Sequence, residues 1–180
     1  MSRLQQRARI IIGAIAFALA AANLAHASSL GAGTAAFGRE DYVTAAAILG
    51  PLAERGVAKA QTHLGFMYAN GRGVPQSYVE AARWYCRAAA QDEPTAQYLL
   101  GLLYDKGQGV PENRIEAHKW LNLAAAHAPR SDREDWVRIR DAVGSKMTLA
   151  ELAEARRRAV EWRPWRNAGG RSGPGSCGQL

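Results

Sequence analysis

The chain has 180 residues and a formal net charge of +7. The excess charge lies at the two ends. Three arginines fall before residue 10, and residues 156–171 hold six arginines against one acid, which leaves residues 28–155 with a net charge of −1. A nucleic-acid-binding protein carries its basic residues as a patch or stripe on the fold itself. This distribution therefore argues against nucleic acid as a partner.

Residues 1–27 have the three-part pattern of a secretory signal peptide. Three arginines and no acid precede an almost wholly apolar run over residues 10–22, and a small-x-small Ala-His-Ala sequence ends at Ala27. The apolar run is shorter than the roughly 20 residues that span a bilayer. We therefore expect cleavage between Ala27 and Ser28, no stable membrane insertion afterwards, and a protein exported to the periplasm or secreted.

Residues 28–56 are expected to form a truncated leading repeat of the pattern described below. The segment 28–37 is rich in small residues and is interpreted as a loose lead-in with room for one short helix. Asp41 is a favourable N-cap residue, and residues 42–55 then predict a helix with apolar residues at helical spacing. Gly56 is expected to end this helix at its C′ position.

The centre of the chain repeats itself with a period of 36 residues. Residues 60–75 read AQTHLGFMYANGRGVP and residues 96–111 read AQYLLGLLYDKGQGVP, and Trp84 recurs downstream as Trp120. A fixed period between about 20 and 50 residues is typical of a solenoid. Each copy predicts two helices with apolar stripes, separated by a Gly-x-Gly-Val-Pro loop that cannot continue a helix. Because both tryptophans fall in the same slot, we expect them to be core residues.

Two pairs of residues support this division into helices. Ser77 and Asn113 each precede a glutamate by three residues. The pair of Ser77 and Glu80 fits the capping box of a helix N-terminus, and the pair of Asn113 and Glu116 is a variant of it. Gly65 and Gly101 lie inside the first helix of each copy, where glycine costs roughly 1 kcal/mol relative to alanine. We expect them to permit a close approach between helices.

The repeated pattern, A-x-x-x-L-G-x-x-Y-x-x-G-x-G-V-P followed by A-x-x-W-x-x-x-A-A, resembles the Sel1-like repeat family, relatives of the tetratricopeptide repeats. Its two copies would occupy residues 57–92 and 93–128. The resemblance implies an all-α fold: a short right-handed solenoid of antiparallel helix pairs, with about seven helices. It also implies protein–protein contact and scaffolding, and no reaction.

Residues 129–162 predict a C-terminal capping hairpin. Ser131 and Thr148 each stand three residues before a glutamate and are expected to cap its two helices, the first of which would end near Ser145. A solenoid needs such a cap because its last repeat otherwise exposes an apolar face. Residues 163–180 are rich in Arg, Gly, Pro and Ser without periodicity, and we expect this tail to be disordered.

No pattern predicts a catalytic residue, a metal site or a cofactor. The Gly-x-Gly loops lack the third glycine of a dinucleotide-binding motif and follow a helix instead of a strand. His63, His118 and His127 have no metal-ligand spacing, and the S-x-x-K and S-D-N hydrolase motifs are absent. We therefore expect a protein that is not an enzyme. The alternative is an envelope enzyme or binding protein that acts on peptidoglycan or β-lactam-like substrates, since some secreted members of the family it resembles have been linked to such ligands.

The chain has two cysteines, Cys86 and Cys177. An oxidising compartment outside the cytoplasm permits a disulfide between them, but the geometry that a disulfide needs is not encoded in the spacing of two cysteines. Both the bridged and the unbridged states stay open at this point.

In tetratricopeptide-like solenoids the first helix of each repeat lines the concave surface, so the resemblance implies a partner-binding groove. The large apolar residues Phe66 and Leu102 are expected to matter most in it, because exposed apolar side chains with polar neighbours mark protein interaction sites. The alternative is that neighbouring helices cover them. The predicted groove residues are Lys59, Thr62, Phe66, Asn70, Tyr98, Leu102, Asp105 and Lys106.

Taken together, these patterns predict a non-catalytic, exported scaffold module of a bacterial-type cell envelope. It would bind a protein or peptide partner in the groove. No cofactor and no nucleic acid are expected.

Overall fold

The computed structural model describes residues 28–164, and this part of the chain is all helical, with eight helices and no strand. None of these helices is long and apolar enough to cross a bilayer. From the second helix to the seventh, each helix packs against the next one along the chain, and the eighth packs against the sixth. The helices are α1 (28–38), α2 (Tyr42–Glu54), α3 (Ala58–Asn70), α4 (Tyr78–Ala89), α5 (Pro94–Lys106), α6 (Arg114–His127), α7 (Arg133–Gly144) and α8 (Leu149–Glu161).

Several predictions fall on residues that the structure does not describe. They concern the leader over residues 1–27, its cleavage after Ala27, the tail beyond Pro164 and the partner of Cys86. Cys86 itself is buried on α4, whereas Cys177 lies outside the described residues. The bridged and the unbridged states of these two cysteines therefore both stay open.

The segment predicted as a loose lead-in is a regular helix, α1. Its small residues allow it to pack closely on α2: a Cβ atom at Gly33 would lie 2.6 Å from the Leu49 side chain. Ala36 is buried in the same cluster, which also contains Ala45. The leading repeat is thus a pair of helices, and the described residues hold eight helices instead of the predicted seven or so.

The predicted caps of α2, α4, α6 and α8 are confirmed. The side chains of Asp41, Ser77, Asn113 and Thr148 each accept a hydrogen bond from the main-chain N–H three residues on, at 3.1–3.2 Å. Only at Thr148 does the glutamate also accept a hydrogen bond from the cap residue's own N–H, so that a full capping box forms. These caps satisfy N–H groups that the helix itself leaves unpaired.

The predicted cap of α7 at Ser131 is wrong. The helix begins at Arg133, with Asp132 at its N-cap and no side-chain cap hydrogen bond. The Pro129 carbonyl accepts hydrogen bonds from the main-chain N–H groups of both Asp132 and Arg133, at 3.1 Å each. Because this turn already satisfies those two N–H groups, α7 begins one residue later than an N-cap at Ser131 predicts.

The two glycines inside the first helix of each repeat allow close packing, as predicted. A Cβ at Gly65 would lie 2.7 Å from the Tyr85 ring, and one at Gly101 would lie 2.8 Å from the Leu121 side chain. Each pair joins the first and second helices of one repeat. Trp84 and Trp120 are also buried as predicted, with Trp120 only 1% exposed.

Adjacent repeats are joined by a buried glutamine that the sequence analysis did not single out. The Gln61 amide on α3 donates a hydrogen bond to the Ala53 carbonyl near the end of α2, at 3.0 Å. One period later, the Gln97 amide on α5 donates to the Ala89 carbonyl at the end of α4, at 3.4 Å. Both glutamines therefore pair with the last turn of the preceding helix, where carbonyl groups lack a partner within the helix.

The C-terminal helices cover the last repeat from two sides. On α7, Trp136 stacks on Tyr98 with ring centroids 4.8 Å apart. Just past α8, Trp162 packs edge-on against Trp120 at 4.9 Å. The buried ammonium group of Lys119 lies over the rings of both Trp120 and Trp162, at 4.2 and 5.2 Å.

Candidate partner-binding cleft

An open cavity of about 390 Å³ lies between α1, α3 and α5. Its volume falls within the range of roughly 300–1,000 Å³ that ligand pockets occupy. We call it the cleft. Its lining residues lie on α1, α3 and α5, each the first helix of a pair, or directly before α5. The lining residues are Thr34, Phe37, Lys59, Thr62, His63, Phe66, Glu93, Thr95 and Leu99.

Three large apolar side chains form the apolar part of the wall: Phe37, Phe66 and Leu99. The Phe37 ring meets the Phe66 ring edge-on, with centroids 5.4 Å apart, and lies 4.4 Å from the His63 ring. These contacts hold α1 against α3. They also leave partly buried aromatic surface facing open space, which is typical of a site that receives an apolar group.

Polar groups surround this surface at the first turns of α3 and α5. Lys59 on α3 and Glu93, the N-cap residue of α5, line the cleft with opposite charges. Burial lowers the pKa of His63, and the nearby charge of Lys59 lowers it further. His63 is therefore neutral near pH 7 and offers one ring nitrogen as donor and the other as acceptor.

A guanidinium group lies beside the aromatic wall. Arg72 follows α3 in the Gly-Arg-Gly loop, and its guanidinium carbon is 5.7 Å from the centroid of the Phe66 ring and 5.1 Å from that of Tyr42. Its Nη1 donates a hydrogen bond to the Tyr42 hydroxyl. Among residues 28–164, no carboxylate lies within ion-pair distance of this guanidinium.

The structure places three of the predicted groove residues on the cleft wall: Lys59, Thr62 and Phe66. Thr62 is only 7% exposed, and its hydroxyl donates to the Ala58 carbonyl at 3.0 Å. Asn70 is exposed at the end of α3, and its side-chain amide donates to the Phe66 carbonyl at 2.8 Å. It does not line the cleft.

The four predicted residues of the second repeat do not line the cleft either. Tyr98 stacks on Trp136 of α7, and Leu102 packs in a cluster with Val143 of the same helix. Asp105 faces Lys146 just beyond α7, with the Lys146 Nζ 3.7 Å from an Asp105 carboxylate oxygen. Lys106 is exposed at the end of α5. The structure thus separates the two halves of the predicted groove, because α7 lies against the second half.

Sequence reasoning missed six lining residues. The period offered a signal for one of them, since Thr95 lies 36 residues after the predicted groove residue Lys59. Leu99 lies 36 residues after His63, which was not predicted. Thr34 and Phe37 were missed because α1 was interpreted as a lead-in. His63 was interpreted as a packing or solvated residue, and Glu93 carried no pattern of its own.

Outside the cleft, four buried side-chain atoms among the described residues have no hydrogen-bond partner: Gln97 Oε1, His118 Nδ1, Trp120 Nε1 and Trp162 Nε1. His118 on α6 is 3% exposed, and its Nδ1 has no hydrogen-bond partner. Burial lowers its pKa, and the charges of Arg140 and Arg156 lower it further, against the opposing effect of Asp141. In the described part of the chain, no group of three or more His, Cys, Asp or Glu side chains could hold a metal ion.

Two stretches of the chain, residues 58–93 and 94–128, match the Sel1 repeat family. No curated protein sequence matches the chain. Among solved structures, a Sel1 repeat protein from Oxalobacter formigenes is 33% identical with a TM-score of 0.53, over 55% of this chain and 39% of that one. A protective antigen of uropathogenic Escherichia coli strains that displays an SLR fold is 22% identical with a TM-score of 0.65, over 81% of this chain and 35% of that one.

The second of these similarities shows the fold alone, and the chain spans only 35–39% of the length of the two solved proteins. Sel1 repeats are generally protein–protein interaction modules, and the family is typically non-catalytic. The match to the family covers the two copies of the 36-residue pattern. Residues 58–128 are therefore two Sel1 repeats, and the family resemblance predicted from the sequence is confirmed.

Proposed function

We propose that this protein is a non-catalytic interaction module of the cell envelope and that it binds a peptide segment of a partner protein in the cleft. The family match supports protein binding in general. The leader pattern of residues 1–27 is the basis for export and for the envelope location. The cleft is the proposed binding site, because apolar side chains of α1, α3 and α5 face its open space.

The observation that carries the proposal is the contrast between Phe66 and Leu102. They occupy the same slot in successive repeats, 36 residues apart. Leu102 packs against the cluster of Ala117, Leu121 and Val143, of which Val143 lies on α7, whereas Phe66 lines a cavity of about 390 Å³. The helix that would cover Phe66 in the same way is α5, and it leaves a gap. An apolar group of a partner can fill this gap, and a few apolar anchors usually supply most of the binding energy of an interface.

The experiment is site-specific photocrosslinking in the native envelope. A photoreactive amino acid replaces Thr95, which is exposed on the cleft wall, and a matched chain carries it at Val43, which is 71% exposed on α2 and does not line the cleft. We expect a crosslinked partner, identified by mass spectrometry, from position 95 and not from position 43. Adding Phe66→Ser should remove it, while circular dichroism stays unchanged.

Crosslinking of the same protein from both positions, or crosslinking that survives Phe66→Ser, would contradict the proposed site.

A charge control addresses the tail. Arg163→Ser with Arg166→Ser tests whether the arginine-rich tail recruits the partner, in which case capture would fall steeply with salt because charge interactions are screened. Loss of capture in the tail variant alone would assign the interaction to the tail.

A further inference from the structure

The charged groups around the cleft are not balanced along its length. At the first turns of α3 and α5, Lys59 and Glu93 line the wall with opposite charges. At the other end of α3, Arg72 lies over the Phe66 ring, with no carboxylate among the described residues to pair with it. The second repeat has Gln108 in the position of Arg72. The positive charge beside the Phe66 ring is therefore not a general feature of the repeat.

The guanidinium of Arg72 is held in place before any partner binds. It donates a hydrogen bond to the Tyr42 hydroxyl and lies over two aromatic rings. An arginine has five N–H donors arranged to fit a planar anion, and the bond to Tyr42 uses one of them. A side chain that is already ordered loses less conformational entropy when it binds. With these properties, Arg72 can bind a carboxylate by donating hydrogen bonds to it.

From this arrangement we propose that Arg72 binds a carboxylate of the peptide that occupies the cleft, so that the partner segment carries an apolar side chain and a carboxylate on the same side of an extended chain. The inference rests on the proposed function and names the class of its ligand. The apolar side chain packs against Phe66 and Phe37, and the carboxylate pairs with the guanidinium beside them.

The distances set the spacing of the two groups. The guanidinium carbon is 5.7 Å from the centroid of the Phe66 ring. In an extended peptide, residues i and i+2 point to the same side and lie about 6.6 Å apart, from a rise of about 3.3 Å per residue. An apolar residue at i and an acidic residue at i+2 therefore match the wall and the arginine. A chain end offers the same chemistry when its terminal carboxylate stands two residues after the apolar one.

The chain's own terminal segments do not fit this site. The leader carries three arginines and no acid, and residues 163–180 carry three arginines and no acid. Both would bring like charge to Arg72, which opposes binding. The charge of the site thus favours a partner in trans with an acidic segment.

The test measures fluorescence anisotropy of labelled peptides with the full-length protein. The probe contains Phe-Ser-Asp between Gly-Ser spacers and has an amidated C-terminus. Matched probes contain Phe-Ser-Asn or Ala-Ser-Asp, and a fourth ends in Phe-Ser-Gly with a free carboxylate. We expect the Asn probe to bind about tenfold more weakly or worse because it lacks the charged hydrogen-bond acceptor. We expect a similar loss for the Ala probe because it lacks the apolar anchor.

The protein variants then identify the residue. Arg72→Gln should reduce binding of the Asp probe to the level of the Asn probe and leave the Asn probe unchanged, and Arg72→Lys should restore part of the loss. Arg130→Gln, at an exposed turn position between α6 and α7, is the matched control for net charge and should change neither probe. Tighter binding of the free-carboxylate probe than of the Asp probe would identify the source of the carboxylate as a chain end.

Two outcomes overturn the inference, and they are distinguishable from failure of the cleft itself. If the Asp and Asn probes bind alike, or if Arg72→Gln weakens both equally, Arg72 does not bind a carboxylate, although a peptide still occupies the cleft. If none of the probes shows binding that Phe66→Ser removes, the cleft is not a peptide site, and the proposed function fails together with the inference.

Discussion

Gly109 packs directly against the main-chain carbonyl of Tyr78, the first residue of α4, so closely that a Cβ atom would collide with it. Gly73 has the same relationship to the Tyr42 carbonyl at the start of α2, where a Cβ would lie 2.5 Å away. The second glycine of each Gly-x-Gly loop is therefore a contact between repeats. The first glycine has a different role, because it ends the helix in the left-handed region, as Gly107 does at φ 63°.

This relationship predicts that Gly109→Ala is more destabilising than Gly107→Ala. Both glycines have positive φ, at 71° and 63°, so both alanines incur the cost of about 1–2 kcal/mol for a left-handed residue. Only at position 109 does the new methyl group also collide with the Tyr78 carbonyl, since the nearest atom to a Cβ at position 107 is 3.4 Å away. Urea denaturation should show a larger loss for Gly109→Ala. Equal losses would mean that the α4 contact is unimportant.

A second prediction concerns the tryptophans at the repeat period. Trp84→Ala and Trp120→Ala should each lower the free energy of unfolding by about 3–5 kcal/mol, the range for truncation of a buried large aromatic residue. In a solenoid the loss should extend to the neighbouring repeat, because stability is shared across the interface. Hydrogen exchange would detect this as loss of protection in the adjacent helices.

The control for the tryptophan variants is Val43→Ala, at an apolar residue that is 71% exposed. Surface substitutions of this kind usually change stability by less than about 0.5 kcal/mol. If both tryptophan variants have the same thermal midpoint as Val43→Ala and the wild type, Trp84 and Trp120 do not support the core.

A third prediction concerns the pH dependence of stability. Burial, with Arg140 and Arg156, lowers the pKa of His118 in the folded state below the value of about 6.5 that an unfolded histidine has. As the pH falls below about 6.5, the unfolded state takes up more protons than the folded state, so the free energy of unfolding decreases. Stability should be highest above that pH and fall on acidification. Urea midpoints measured from about pH 7.5 to about pH 5.5 test this above the range where carboxylates titrate.

The variant for this prediction is His118→Gln, which should lose much of the pH dependence within that window. His63 is the other described histidine with a lowered pKa. His63→Gln therefore measures how much of the pH dependence of stability comes from His63. A pH dependence in His118→Gln identical to that of the wild type would show that the buried imidazole does not govern the response.

A fourth prediction concerns export, on which the envelope part of the proposed function depends. Protein recovered from the periplasm or the medium should begin at Ser28, because the small residues before it fit a signal peptidase site. Ala27→Phe should block cleavage and leave a longer product, which intact mass would reveal. An N-terminal Met1 on exported wild-type protein would indicate a retained, anchored leader.

The sequence by itself determined the repeat and the local features within it. The caps at Asp41, Ser77 and Asn113 follow from rules that act over one turn of a helix. The period of 36 residues and the close packing at Gly65 follow from the recurrence of the pattern itself. These rules depend on the residues near each position, so one copy of the pattern predicts the next. The same rules failed at Ser131, where the Pro129 carbonyl offered the main chain a competing set of hydrogen bonds.

Only the tertiary structure decided which surface stays open. Phe66 and Leu102 are equivalent in the repeat, but Leu102 packs against a cluster that includes Val143 of α7, while Phe66 faces a cavity that Phe37 of α1 also lines. Neither flanking helix carries the repeat pattern, so their positions could not be inferred from it. Whether a side chain is buried depends on what lies opposite, and in a solenoid that neighbour belongs to a different repeat. A periodic sequence places equivalent residues at equivalent positions of successive repeats. Their burial differs because the two ends of the solenoid are covered by different helices.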